Sequence, residues 1–78
     1  MLIKEKYQNA LGRTGMTLWL LSLGLEELSA HPNKEKAEVL RQAAVMLRES
    51  IRFQAQANAE EKNDLQSIVD GLMALSLD

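Results

Sequence analysis

The stretch Met16–Leu28, which reads MTLWLLSLGLEEL, decides the fold because it is more apolar than a small helical hairpin can bury. A buried helical stripe is predicted by the spacings of three and four between Leu18, Leu21, Leu25 and Leu28. A second apolar surface on the same helix contains Met16, Trp19, Leu20 and Leu23. One neighbouring helix covers only one side, so this second surface predicts contact with another copy, another protein or a membrane.

Length and composition predict one small helical domain over residues 1–78. A core of this size supplies only about 3–5 kcal/mol of stability, so small chains often depend on disulfides, metals or oligomerisation. The sequence has no cysteine and one histidine, which leaves oligomerisation as the expected support. A hydrophobic share of 46%, with many good helix formers, predicts a folded all-α protein.

The charge balance argues against a nucleic-acid partner, and the length of the apolar run argues against a membrane. Eleven acidic residues against nine basic ones weigh against nucleic-acid binding, for which a domain is usually basic. The apolar run ends at Glu26, well short of the roughly 20 residues that a membrane span needs. We therefore expect neither nucleic acid nor membrane as the partner, and we expect a cytoplasmic protein.

The N-terminal segment predicts a helix that begins near residue 2 and is kinked or interrupted at residues 12–15. Gly12 and Gly15 disfavour a helix interior, and Thr14 is a candidate cap for a helix that starts at Gly15 or Met16. Alternatively, the helix continues and the glycines allow another part of the backbone to approach closely.

A turn is predicted at residues 29–33, where the sequence reads SAHPN. Pro32 suits the first turn of the next helix, and Asn33 is also an acceptable helix cap. Two long helices joined by so short a turn form an antiparallel helical hairpin.

From Lys34 onward, two apolar stripes share one heptad phase but are separated by a polar middle. The stripes are Leu40, Ala44, Leu47 and Ile51, then Leu65, Ile68, Leu72 and Leu75. One interpretation is a single long helix. The other is a break near residues 58–64, capped by Asn58 with Glu61 three residues on, or by Asp64. The break would make three helices.

Both predicted helices carry surplus apolar surface, which a helical bundle formed by dimerisation would bury. The predicted oligomer or partner interface consists of Met16, Trp19, Leu20, Leu23, Val39, Met46 and Phe53. Trp19 and Leu23 are expected to be essential for the dimer, since tryptophan contributes strongly to interface energies.

A basic stripe of Lys34, Arg41, Arg48 and Arg52 is the candidate site for an anionic partner, because arginine binds phosphate bidentately. Glu38 and Glu49 lie three residues before Arg41 and Arg52. The basic stripe is therefore also explained by ion pairs along a solvated helix face. On that interpretation, Arg41→Glu combined with Arg48→Glu leaves folding intact.

No catalytic, cofactor or metal motif is visible, so the chain is not expected to be an enzyme or to bind a cofactor. His31 lies in the turn without a partner for acid–base work, and Gly12–Gly15 lacks the Gly-Lys-Ser/Thr ending of a phosphate loop.

The expected function is protein binding through apolar helix surfaces, as in a regulator, an adaptor or a secretion-type chaperone. In size and character the chain resembles small helical regulators and type III secretion chaperones. The alternative is a dimeric RNA-binding hairpin that uses the basic stripe. Leu28, Ala44 and Leu47 fall where a Rop-type hairpin would have seam residues, so the resemblance rests on spacing common to helical hairpins.

Overall fold

The chain is all-helical, as the composition predicted. The computed structural model describes residues 2–52 and 59–76, with Arg52 described by its backbone only. Those ranges contain four helices and no strand: α1 (Ile3–Lys6), α2 (Arg13–Ala30), α3 (Lys34–Arg52) and α4 (Ala59–Ala74). None of these helices is long and apolar enough to cross a membrane.

The second half of the chain folds back on itself. Arg41 Nε lies 2.8 Å from the carbonyl oxygen of Leu72, although the two residues are 31 positions apart. In one straight helix they would be about 47 Å apart, at a rise of 1.5 Å per residue. The single long helix is therefore wrong. A break is confirmed, since α3 ends at Arg52 and α4 begins at Ala59, but residues 59–64 of the predicted break region lie inside α4. Asp64 lies inside α4 and does not cap it, whereas the candidate cap Asn58 lies outside the described residues.

The two-helix hairpin is not confirmed, because α2, α3 and α4 all pack on one another and α1 packs on α2. Their shared core is built from members of the predicted stripes of the three longer helices, together with Ala37 and Val69, which were not predicted. It comprises Leu18, Leu21, Leu28, Ala37, Ala44, Ile51, Leu65, Ile68, Val69 and Leu72. Half-buried side chains, among them those of Leu25, Leu40 and Leu47, pack around it. Local periodicity thus selected the core-facing side of each helix.

The N-terminal helix is shorter than predicted. Helix α1 is four residues long, a turn follows it at residues 7–9, and α2 begins at Arg13. Thr14 lies within α2, so its prediction as a cap was wrong, and the N-cap is Gly12. A Cβ atom on Gly15 would lie 2.7 Å from Ala10 Cβ. Gly15, which lies inside α2, therefore allows the close approach of the preceding segment, although α1 does not continue into α2.

The turn between α2 and α3 contains the predicted cap. Asn33 Oδ1 accepts a 3.0 Å hydrogen bond from the backbone N–H of Lys36. This bond pairs one of the N–H groups that a helix start leaves without an intrahelical partner. Pro32 precedes α3, which begins at Lys34, so it does not occupy the first turn.

Candidate functional site

The side of α2 that points away from the core is apolar, and we call it the outer face of α2. It consists of Met16, Trp19, Leu20 and Leu23. At 100° per residue, these positions are centred nearly opposite the buried stripe of the same helix. The side chains of Met16 and Leu20 are 49% and 57% exposed. The hydrophobic surplus that the sequence predicted on this helix therefore lies outside the core.

The short helix α1 borders one edge of this face. Lys4, Glu5 and Gln8 line a depression together with Trp19 and Leu23. The indole of Trp19 and the side chain of Leu23 are consequently half-buried, whereas Leu20 is exposed. The most accessible part of the outer face is thus the strip through Met16 and Leu20.

Opposite charges lie at the two ends of the outer face. Arg13 and Glu27 are each seven residues from Leu20, so the three lie on the same side of α2. The guanidinium of Arg13 is exposed and has no ion pair within the described part of the chain. Glu27 lies 2.7 Å from Lys36 Nζ, and the hydrogen bond from Lys36 lowers the pKa of the Glu27 carboxyl.

A second apolar surface lies between α3 and α4, and we call it the α3–α4 groove. Its apolar lining is Val45, Met46 and Met73, and its polar rim is Glu38, Arg41 and Gln42. The open cavity measures about 520 Å³. Met46 and Met73 are 71% and 53% exposed, so flexible thioether side chains dominate the accessible surface.

The groove only partly matches the predicted interface. Met46 was predicted, but Met73 was not, because only the return of α4 along α3 brings it there. Val39 is 65% exposed on α3 but does not line the groove. Phe53 lies outside the described residues.

The basic stripe is not a row of free cations. Arg41 is half-buried and donates hydrogen bonds to the carbonyl oxygens of Leu72, at 2.8 Å, and Leu75, at 3.3 Å. Its placement on a solvated face was therefore wrong. These carbonyls lie at the C-terminal end of α4, where unpaired acceptors and the helix dipole favour a cation.

The other members of the stripe lie apart from that cap. Arg48 makes a long 3.5 Å contact with Gln66, and Lys34 is exposed at the start of α3. The side chain of Arg52 lies outside the described part.

A polar cluster that the sequence did not reveal joins the N-terminal segment to α4. Asp64 Oδ2 accepts hydrogen bonds from the Tyr7 hydroxyl at 2.6 Å and from Lys6 Nζ at 2.8 Å. Lys6 also pairs with Glu60. Because these side chains are already paired with one another, the cluster has the character of a structural clasp.

The pKa values within the clasp follow from its geometry. Burial raises the pKa of the Tyr7 hydroxyl, and its hydrogen bond to Asp64 adds to that effect. Burial also acts to raise the pKa of Asp64, but the hydrogen bonds from Lys6 and Tyr7 outweigh it and lower that pKa overall. The ionised carboxylate and the neutral phenol are thus the favoured forms.

Of two further kinds of site, an apolar depression and a metal site, the described residues form only the first. An apolar depression of about 370 Å³ lies between α1, α2 and α4, lined by residues such as Ile3, Leu25 and Ile68. Within residues 2–52 and 59–76, no group of three or more histidine, cysteine or acidic side chains is placed to hold a metal ion.

Comparison of the chain with protein-family models, with curated proteins and with solved structures gave no match. The surfaces of the fold are therefore the basis on which a function can be inferred.

Proposed function

We propose that this chain is a small helical protein-binding module that works as a homodimer, with the outer face of α2 as its main contact surface. The observation that carries the proposal is the exposure of Met16 and Leu20 on the side of α2 opposite the core. Burying a large apolar side chain contributes about 1.5–3 kcal/mol. Covering this face would therefore add substantially to the stability of a chain with a small core.

The composition of the face also favours a protein as its occupant. Trp19 adds a large, half-buried apolar surface beside the exposed strip, and tryptophan is enriched in protein interfaces. Arg13 and Glu27 border the apolar strip with charge, as polar rims border the centres of protein interfaces. A regulator, an adaptor or a secretion-type chaperone each requires such a surface.

We further propose that the α3–α4 groove receives an amphipathic helix of another protein. Val45, Met46 and Met73 provide an apolar floor, and methionine adapts to side chains of different shapes. Helices commonly bind in such grooves through side chains spaced three and four residues apart. The groove and the outer face of α2 would then serve two different partners.

The RNA-binding alternative has less support. It needs cations free to contact phosphates, whereas Arg41 is bonded to the end of α4. The net charge of −2 also opposes association with a polyanion. We propose no enzymatic activity, and the cytoplasmic location stays a sequence-based prediction.

The test is recovery of partners on the tagged protein in high salt, with and without nuclease. We expect the wild-type chain to retain a second copy of itself, which Leu20→Glu loses, and a different protein, which Met46→Glu loses. Asn63→Glu is the matched control, because it adds the same charge at an exposed position of α4 outside both surfaces. Recovery of nucleic acid that nuclease or salt removes would contradict the proposal and favour the basic stripe.

A further inference from the structure

Within the described part of the chain, helix α2 packs against α1, α3 and α4 on sides other than its outer face. Its Leu25 lies against Gly71 of α4, and its Gly24 lies against Leu40 of α3. On the side of α1, Glu26 accepts a 2.9 Å hydrogen bond from Lys4. The remaining open arc is the strip that carries Met16 and Leu20, and it extends along the whole helix.

The open arc has the pattern of a helix–helix seam. Arg13, Met16, Leu20, Leu23 and Glu27 follow one another at alternating spacings of three and four residues. This is the spacing by which the side chains of one helix pack against a neighbouring helix. The centre of the seam is apolar, whereas its N-terminal end is basic and its C-terminal end is acidic.

We propose that the occupant of this seam is a second copy of the chain, packed antiparallel about a two-fold axis near Leu20. The inference rests on the proposed function, to which it adds the orientation of the two copies and the residues that pair between them. In a two-fold dimer the same patch contacts itself. The apolar centre satisfies that condition, since each copy would place Leu20 against the Leu20 region of the other.

The terminal charges select the orientation. Arg13 and Glu27 each lie about 10 Å along the helix axis from Leu20, at a rise of 1.5 Å per residue. Antiparallel packing therefore brings Arg13 of each copy to Glu27 of the other, and the dimer gains two opposite-charge pairs. Parallel packing would instead bring arginine to arginine and glutamate to glutamate, which is repulsive.

The ion pair within the chain is compatible with this arrangement. Glu27 already lies 2.7 Å from Lys36, but a carboxylate accepts several hydrogen bonds, and arginine reaches it through a planar fork of donors. The pair with Lys36 would also hold the Glu27 side chain in place for the second copy.

The contact is small, because α2 is only about 27 Å long. Interfaces at the small end of the range are usually weak. We therefore expect a dimer that dissociates on dilution through the micromolar range.

The test is a charge-exchange series measured by sedimentation equilibrium at low salt. Arg13→Glu and Glu27→Arg should each raise the Kd for self-association, on the order of tenfold. The double variant Arg13→Glu with Glu27→Arg should restore it towards the wild-type value. Glu27→Arg and the double variant both lack the pair with Lys36, so their difference isolates the contact between copies.

Two further variants separate this inference from the proposed function. Leu20→Glu should give a helical protein that no longer associates, whereas Met73→Glu, at a similarly exposed position in the groove, should leave association unchanged. Circular dichroism of each variant checks that it is folded.

Two outcomes would contradict the inference. If Leu20→Glu prevents association but the double variant Arg13→Glu with Glu27→Arg does not recover the wild-type Kd, the antiparallel pairing is wrong, although the outer face of α2 is still the contact surface. If the wild-type chain is monomeric at millimolar concentration, the inference that a second copy occupies the seam is wrong. Retention of another protein that Leu20→Glu abolishes would then still support a protein-binding module.

Discussion

The Tyr7 hydroxyl donates a 2.6 Å hydrogen bond to Asp64 Oδ2, which joins two residues 57 positions apart in the chain. Lys6 binds the same carboxylate oxygen from the neighbouring position. The four residues of α1 are too few to form a stable helix alone, because helix nucleation is unfavourable. The clasp therefore holds the N-terminal segment against α4 and keeps it beside the outer face of α2.

Tyr7→Phe should lower the free energy of unfolding by about 1–2 kcal/mol, because it removes a hydrogen bond to a charged acceptor and keeps the ring. Urea denaturation of the variant and the wild type measures the difference. Gln8→Ala, at the exposed neighbouring position, is the control and should change stability little. Equal stability of Tyr7→Phe and the wild type would show that the clasp contributes nothing measurable.

The clasp also predicts how stability depends on pH. The pKa of Asp64 is lower in the folded chain than its ordinary value of 3.8. The unfolded chain therefore binds the proton more readily, and the stabilising contribution is present above pH 3.8 and lost as the pH falls through the folded pKa. In Asp64→Asn, the urea midpoint should depend less on pH than in the wild type between pH 5 and pH 2 (roughly the range of carboxyl titration). An unchanged acid profile in that variant would contradict the assignment.

Arg41→Met should destabilise the fold by about 1–2 kcal/mol, because the C-terminal carbonyls of α4 lose their cationic donor. Arg48→Met is the matched control, since its 3.5 Å contact with Gln66 is long and exposed. We expect it to change stability by less than about 0.5 kcal/mol. Thermal unfolding of both variants is the measurement. If Arg41 caps α4, only Arg41→Met lowers the stability, whereas equal effects of the two changes would indicate that both arginines lie on a solvated stripe.

Leu20 and Leu21 are adjacent in sequence and about 100° apart around α2, and their exposures are 57% and 4%. Leu21→Ala should cost about 2–4 kcal/mol, because it removes packing from the core. Leu20→Ala should cost much less when measured at high dilution, where association does not contribute. Equal losses under those conditions would mean that the outer face is part of the folded core.

Several features of the fold could be predicted because they depend on residues close together in the chain. Helical periodicity identified the core positions Leu18, Leu21 and Leu28, and the chemistry of Asn33 identified the start of α3. In each case the determining contacts lie within one or two helical turns. The same periodicity indicated the apolar surplus on α2, which is the candidate site.

The course of the chain between α3 and α4 could not be decided in this way. High helix propensity favoured continuation, and candidate caps near residues 58–64 favoured a break, so local preferences were balanced. The packing of Leu65 and Leu72 against α2 and α3 accompanies the return of α4. Burial of apolar area is a property of the whole chain and outweighs small local preferences.

By itself, the sequence determined that the chain is helical, which side of each long helix is buried, and that one helix carries more apolar surface than a hairpin can cover. Only the tertiary structure decided that Arg41 caps α4, that Tyr7 binds Asp64, and that the open arc of α2 runs between Arg13 and Glu27. The partners in the first two contacts are distant in sequence. Such pairings depend on how the helices are placed in space, and no local pattern of residues encodes that placement.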